Sequence, residues 1–279
     1  MQETREIKYL PKIPLASITT DTGCVREANE DSGRHVKPID SEIKNTRGTL
    51  TIVADGMGGH ASGEVASQMA IELISYFYYA AEEYSAPEAL RNAIQQANAE
   101  IYETAISDEK YYGMGTTLVA LVLLEDVGYS AHVGDSRLYR LRNKQLELLT
   151  MDHSQVMEMV KEGIISMEEA RNHDDKNVIL RAVGTQQTVD VEVSEGFKIL
   201  SKDEFLLCSD GLSDMVEDDV IAEVWTQAKD IHEASENLVE KAKEFGGHDN
   251  VTVAIVRMPA ENEYIIPRKM PITRELVGV

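Results

Sequence analysis

One stretch of this chain constrains its fold more than any other: an apolar run that ends in an acid and is followed at once by glycines. Residues 51–54 have the composition of a buried β-strand, Asp55 follows them, and a Gly-Met-Gly-Gly sequence (56–59) precedes a helical pattern that starts near Ser62. A carboxylate at the end of a strand, beside unhindered backbone, suits the binding of a hard cation. The stretch therefore predicts a metal ligand at Asp55.

Three further aspartates lie at the ends of apolar runs, namely Asp135, Asp210 and Asp249. A single Asp-Gly or Asp-Ser pair is more often a turn. Four carboxylates at strand ends in one domain are different, because they would repel one another if they gathered at one sheet edge. Divalent cations relieve such repulsion, so we predict that the four acids converge on metal ions. Carboxylate, carbonyl and water ligands favour Mg²⁺ or Mn²⁺ over zinc.

Composition and charge limit the classes of partner. With 279 residues and 43% hydrophobic content, the chain can bury a sizeable core as a globular protein. Its net charge of −22 argues against general binding to nucleic acid or to an anionic membrane, because phosphate groups require Lys and Arg. The longest apolar run, 118–124, is too short to cross a bilayer, and residues 1–10 are not typical of a secretory signal. Cys24 and Cys208 form neither a disulfide framework nor a zinc spacing, so we expect a cytoplasmic protein.

The order of predicted elements favours an α+β domain with antiparallel sheets, because regular strand–helix–strand alternation is absent. Residues 34–48 are predicted to form a surface hairpin or loop, 116–142 an antiparallel meander, and 154–185 a mobile flap with two short helices. The other predicted strands lie at 15–20, 189–194, 205–209 and 251–258. Helices are predicted at 62–84, 218–228 and 231–245, and one more begins at a Ser85–Glu88 capping box. We expect a lead-in at 1–14, one domain at 15–258 and a C-terminal extension at 259–279.

A dinucleotide-binding loop is the main rival interpretation of residues 56–59, since such loops also follow a strand and open a helix. It is disfavoured because Asp55 would project a negative charge into the phosphate site, which is built from backbone N–H groups. A Walker loop is excluded because no Gly-Lys-Ser/Thr sequence follows.

Nucleophilic side chains and metal-binding histidines are also disfavoured. Ser62 and Ser213 are interpreted as helix-start residues, and neither cysteine lies in a catalytic signature. His60, His153 and His248 lie beside motif residues, but their spacing is not that of a paired site, so we interpret them as structural. The predicted nucleophile is therefore a hydroxide formed on a metal ion.

Seven short motifs occur in one order along residues 15–258, and together they closely resemble the metal-dependent protein Ser/Thr phosphatases of the PP2C (PPM) family. The form Met-Gly-Gly-His at 57–60 is similar to the bacterial branch of that family. The motifs are Arg26-x-x-Asn29-Glu30-Asp31, Asp55-Gly56-Met57-Gly58-Gly59-His60, Gly115-Thr116-Thr117, Gly134-Asp135-Ser136-Arg137, Asp152-His153-Ser154, Ser209-Asp210-Gly211-Leu212-x-Asp214 and Asp249-Asn250-Val251-Thr252.

The resemblance implies a fold and a set of metal ligands. The fold would be an α-β-β-α sandwich of two antiparallel sheets, each flanked by a helix pair, with two Mn²⁺ or Mg²⁺ ions at one edge and a third ion beside them. In the two-ion site, Asp55 would bridge the ions, and the Gly56 carbonyl, Asp210 and Asp249 would bind them directly, with Glu30 and Asp31 acting through water. In the third site, Asp135 would act with Asp210 and Asp214.

The same resemblance implies a mechanism. Arg26 would hold the substrate phosphate, a role for which a guanidinium is well shaped. Two cations about 3.5–4 Å apart would share a water and lower its pKa, and the resulting hydroxide would attack phosphorus directly, without a phosphoenzyme. Some members carry a His directly after the Asp-Gly pair, assigned as the general acid. Here that position is Met57, so the general acid stays unassigned.

The function implied is hydrolysis of phosphoserine and phosphothreonine on proteins, opposing a bacterial Ser/Thr kinase, by a protein that we expect to be a monomer. Two alternatives remain at this point: a non-catalytic module that binds phosphoproteins, and a hydrolase of small phosphoesters. The flap would influence the choice of substrate.

Overall fold

The computed structural model describes residues 13–58 and 62–260, and these form two antiparallel sheets. The first sheet has the strand order β1-β12-β11-β7-β8. Its strands are β1 (Leu15–Asp21), β7 (Arg137–Arg142), β8 (Gln145–Leu148), β11 (Glu204–Cys208) and β12 (Val251–Arg257).

The second sheet has the order β10-β6-β5-β3-β2, with two short strands added at its sides: β4 pairs with β3, and β9 pairs with β6. Its strands are β2 (Asp31–Val36), β3 (Thr49–Met57), β4 (Gly115–Thr116), β5 (Leu118–Leu124), β6 (Val127–Val133), β9 (Glu192–Val193) and β10 (Phe197–Lys198).

The two sheets pack face to face through apolar side chains. Val53 and Leu121 of the second sheet lie in one buried cluster with Phe205, Leu207 and Ala254 of the first. Because neighbouring residues on a strand point to opposite faces, the residues that alternate with these face outward, towards helices.

Helices cover both outer faces. The helices α2 (Ser62–Ala80) and α3 (Ala86–Ser107) pack on the second sheet, where Ile52, Ile74 and Ile94 share one buried cluster. The helices α7 (Asp218–Gln227) and α8 (Ile231–Glu244) pack on the first sheet in the same way. The predicted α-β-β-α sandwich is confirmed. A short 3-10 helix, Glu109–Tyr111, follows α3.

The flap (residues 154–185) leaves the first sheet after β8. It contains α4 (Gln155–Lys161) and α5 (Met167–Arg171), close to the two short helices expected there. Each begins at a serine that caps it, and Ser166 forms a reciprocal capping box with Glu169. The capping box predicted at the start of α3 is present too.

Three local predictions were wrong. Residues 34–48 are not a hairpin or loop: they contain the second half of β2 and the helix α1 (Ser41–Arg47), whose first turn is capped by Asp40 through Glu42 N–H and Ile43 N–H. β2 is an edge strand with few apolar residues, which explains why its pattern was not recognised. Ser213 ends rather than starts a helix, because α6 (Asp210–Ser213) begins at the aspartate.

The predicted meander is also wrong in its third strand. β5 and β6 pair as expected, but β7 belongs to the other sheet and pairs with β11 and β8. The chain therefore crosses from one sheet to the other at residues 134–136. Gly134 makes this possible with φ of +102°, a conformation that a residue with a side chain rarely adopts.

Most of the predicted lead-in and C-terminal extension, together with His60, lie outside the described residues. Within the described ranges, none of the helices is both long and apolar enough to span a bilayer.

Candidate metal centre

The antiparallel register of β2 and β3 places Asp31 directly opposite Asp55. Asp31 is only 8% exposed, and Ser209 Oγ donates to its Oδ2 at 2.7 Å. Burial raises the pKa of Asp31 to about 6. Its other oxygen, Oδ1, is buried and has no hydrogen-bond partner within the described part of the chain.

Asp55 is held in place through its own backbone. Its carbonyl accepts hydrogen bonds from Thr116 Oγ1 and Thr117 N–H, both at 2.8 Å. Burial raises the pKa of Asp55 well above its usual value, and the charges of Asp31, Asp210 and Asp135 raise it further.

Gly56 lies where two segments of backbone approach too closely for a side chain. A Cβ on this residue would come within 2.1 Å of the Gly63 carbonyl oxygen and 2.6 Å of the Glu30 carbonyl oxygen. Gly56 N–H also donates to that Glu30 carbonyl at 3.1 Å. Glycine at this position therefore lets the end of β3 lie against both the start of α2 and the residue before Asp31.

Asp210 is the first residue of α6, directly after β11 and Ser209. Burial raises its pKa well above the usual value, and the charges of Asp135, Asp214 and Asp249 act in the same direction. Its Oδ1 is the second buried carboxylate oxygen that lacks a hydrogen-bond partner among the described residues.

Asp249 lies at the rim, beside Arg26. The guanidinium Nη2 of Arg26 donates to Asp249 Oδ2 at 2.6 Å, and the Arg26 side chain is 51% exposed. Burial raises the pKa of the neighbouring Glu30, while Arg26 lowers it. The predicted phosphate-binding arginine and a predicted metal ligand are thus in direct contact.

Asp135 lies at the crossing between the sheets. Burial raises its pKa to about 7, and the charges of Asp152 and Asp214 raise it further. Asp152 is itself paired with the largely buried Arg137, at 2.6 Å between Nη2 and Oδ2. Asp214 lies one helical turn after Asp210, and its Oδ2 accepts a hydrogen bond from Lys176 Nζ of the flap at 2.8 Å.

We call these seven acids the acidic cluster: Glu30, Asp31, Asp55, Asp135, Asp210, Asp214 and Asp249. Six of them come from strand ends or from the turns beside them, and Asp214 follows the short helix α6, at the same edge of the sandwich. Two buried carboxylate oxygens without partners, in a set of oxygen donors, fit hard divalent cations. Among the described residues, no three of its carboxylates have ligand atoms all within 4.8 Å of one another.

A different group does meet that distance, namely His132, His153 and Glu192. The two rings are stacked at 4.5 Å between centroids with planes 16° apart, so their in-plane lone pairs run parallel instead of converging. Arg181 Nη1 also lies 3.4 Å from His153 Nε2. This geometry suits a structural pair, in agreement with the interpretation of His153.

Sequence reasoning assigned no role to Asn250, which organises the rim. Its Nδ2 donates to the carbonyls of Thr22 and Ala28, at 3.0 and 2.9 Å, and its Oδ1 accepts from Glu30 N–H at 2.8 Å. One buried amide thus holds the loop that carries Arg26. The available signal was its position beside Asp249 in the last motif.

Comparison with known proteins agrees with this geometry. The family profile described as protein phosphatase 2C matches residues 39–243. The serine/threonine phosphatase Stp of Listeria monocytogenes is 40% identical over 245 residues, which span 86% of this chain and 94% of that protein.

Solved structures give the same picture. The Mycobacterium tuberculosis serine/threonine phosphatase PstP superposes with a TM-score of 0.79 at 35% identity, covering 88% of this chain and 99% of that one. A PstP catalytic domain in complex with two manganese ions superposes with a TM-score of 0.74 at 34% identity, again over 88% and 99% of the two chains.

Proposed function

The chain belongs to the protein phosphatase 2C family, and on that premise we propose that it is a metal-dependent phosphatase that acts on phosphoserine and phosphothreonine in proteins. The observation that carries the proposal is the pair of buried, unpartnered oxygens of Asp31 and Asp210 inside the acidic cluster. A fold that removes two carboxylate oxygens from water without giving them donors would be costly unless a cation binds there.

The residues divide the work of binding. Asp55, Asp210 and Asp249 would hold two cations directly, with the Gly56 carbonyl, while Glu30 and Asp31 would act through water. When bound, the cations supply Lewis-acid activation of a water and neutralise charge on the phosphoryl oxygens. Asp135 and Asp214, with Asp210, form the proposed third site. Carboxylates and a carbonyl suit Mg²⁺ or Mn²⁺.

Arg26 has two partners in this account. In the structure it neutralises Asp249, and its half-exposed guanidinium can also offer two parallel N–H groups to a phosphate. We propose that a cation bound at Asp249 would neutralise this carboxylate in place of Arg26. The guanidinium of Arg26 would then be free to bind the phosphate of the substrate. Met57 cannot donate a proton, so the group that protonates the leaving alkoxide stays unassigned.

The proposal extends to the substrates, the oligomeric state and the location of the protein in the cell. We propose that the substrates are phosphoproteins made by a Ser/Thr kinase that this enzyme opposes, and that the domain of residues 15–258 acts as a monomer. A cytoplasmic location is supported by the free thiols of Cys24 and Cys208, the first of them exposed.

Two assays test the function. Mn²⁺-dependent release of phosphate should be faster from phosphoserine or phosphothreonine peptides than from a small aryl phosphate, and a chelator should abolish both. Faster turnover of the small ester would favour the small-phosphoester hydrolase instead. Binding of phosphopeptide without hydrolysis at any Mn²⁺ concentration would favour the non-catalytic module.

A further inference from the structure

Two basic side chains of the flap contact the end of α6, next to the acidic cluster. Lys176 Nζ donates to Asp214 Oδ2 at 2.8 Å, and Arg171 Nη2 donates to the Ser213 carbonyl at 3.3 Å. Lys176 thus contacts Asp214, the residue that follows α6, and Arg171 contacts Ser213, the last residue of that helix. The position of the flap is therefore linked to an acid of the proposed third site.

Asp214 also belongs electrostatically to the acidic cluster. Its N–H donates to the Asp210 carbonyl at 2.8 Å, and its charge raises the pKa values of Asp210 and Asp135. A hollow between the flap and the sheet edge is lined by these three aspartates together with Arg171 and Lys176. The ammonium of Lys176 thus shares one hollow with the carboxylates that would hold a third cation.

We propose that Lys176 is an internal counter-ion that competes with the third cation for Asp214, so that docking of the flap and binding of that cation oppose each other. The inference rests on the proposed function, because it concerns the third ion of the same centre. An ammonium is a compact point charge on a flexible stem, so it can replace a metal ion at a carboxylate and can leave again. A divalent cation on Asp214 would repel it.

The ion pair between Lys176 and Asp214 is weak enough for a metal ion to displace the lysine. Each side chain of the Lys176–Asp214 pair is 32% exposed, and partly exposed ion pairs are weak enough to be displaced. By thermodynamic linkage, the free energy that Lys176 contributes to docking of the flap lowers the binding free energy of the third cation by the same amount. Binding of that cation weakens docking of the flap to the same extent. A purely structural surface pair would show neither effect.

Binding of Mn²⁺ to the purified chain, followed by electron paramagnetic resonance of free Mn²⁺, tests the competition. Lys176→Gln should tighten the weakest of the bound ions about two- to fivefold, the range expected for loss of a partly exposed ion pair. The tighter ions should be unchanged. Lys161→Gln is the matched control. It removes the same charge from the flap, but Lys161 pairs with Glu158 within α4 and not with the acidic cluster.

Hydrogen exchange of the flap gives an independent readout. In the unmodified chain, amides of residues 167–178 should exchange faster as Mn²⁺ fills the weakest site. In Lys176→Gln they should exchange fast already without Mn²⁺ and respond little to it, while Lys161→Gln should behave like the unmodified chain.

The proposal is overturned if the weakest Mn²⁺ binds Lys176→Gln with unchanged affinity, or if flap exchange is independent of Mn²⁺ over that range. Absence of any third ion would overturn it as well. These failures would leave Mn²⁺-dependent hydrolysis intact, whereas failure of the proposed function would appear as loss of that hydrolysis in the unmodified chain.

Discussion

Asp31 on β2 and Asp55 on β3 are direct cross-strand partners, held opposite each other by the hydrogen bonds of the two strands. Like charges in this relationship repel, and the strands cannot separate without losing their ladder. The fold therefore maintains a repulsion that a bound cation would relieve. We expect this arrangement to make the metal-free protein less stable than its packing alone would allow.

Replacing Asp31 by Asn should raise the free energy of unfolding in EDTA by about 1 kcal/mol, because the charge is lost while an acceptor for Ser209 remains. The variant should also gain less stability from Mn²⁺ than the unmodified chain does. Urea unfolding with and without Mn²⁺ measures both. The control is Asp126→Asn, at an exposed turn residue at the opposite end of the sheet. If Asp31→Asn is less stable than the unmodified chain in EDTA, repulsion between Asp31 and Asp55 does not destabilise the protein.

Asn250→Ala should cost about 1–3 kcal/mol of stability, since three part-buried hydrogen bonds to the backbone are lost. It should also lower kcat/KM for a phosphopeptide, because the loop that carries Arg26 is released. Asn98 offers a matched control: its buried amide likewise bonds three backbone groups, those of Gly184, Gln186 and Gln187. Asn98→Ala should destabilise comparably with much less effect on kcat/KM, and equal kinetic losses would contradict the role given to Asn250.

Arg26→Ala should lower kcat/KM for a phosphopeptide about 10- to 100-fold, the value of a charge-assisted hydrogen bond. Arg26→Lys should recover little of it, because an ammonium lacks the two parallel donors. Steady-state kinetics at saturating Mn²⁺ measures this, with Arg34→Ala, an exposed arginine on β2, as control. Unchanged kinetics in Arg26→Ala would remove this residue from phosphate binding.

Stability should fall in acid through His35. Burial lowers the pKa of His35 to about 4, and the charge of Lys37 acts in the same direction, while its Nδ1 pairs with Thr51 Oγ1 at 2.8 Å. A folded pKa below the unfolded value favours the neutral ring, so its contribution is present above pH 6.5 and is lost as pH falls towards 4.

His35→Gln keeps a partner for Thr51 and removes that titration. Between pH 6.5 and 4 it should lose less stability than the unmodified chain, by at most about 3 kcal/mol. Chemical unfolding at a series of pH values measures the difference. Parallel curves for the two proteins would show that His35 does not contribute.

The parts of the fold that depend on local patterns could be predicted from the sequence. The four helices on the outer faces and the Ser85–Glu88 capping box follow from periodicity and from side chains that bond neighbouring backbone. Asp55, Asp135, Asp210 and Asp249 were recognisable because four acids recur at the ends of apolar runs, whereas Asp31 and Asp214 were identified only through the family motifs.

The rest depends on contacts between segments far apart in sequence. β2 is polar because it is an edge strand, and only its pairing with β3 identifies it as a strand. The crossing at Gly134, which assigns β7 to the other sheet, is decided by the packing of whole sheets. The Lys176–Asp214 contact and the His132–His153 stack likewise join distant segments, so no local pattern could predict them.

The central claim is that separate acids share the same cations, and anomalous scattering from Mn²⁺-soaked crystals tests it most directly. We expect two manganese peaks about 3.5–4 Å apart, both at the Asp55 carboxylate, with Asp210 and Asp249 at one of them. Peaks at separate carboxylates, or no peak at Asp55, would contradict it.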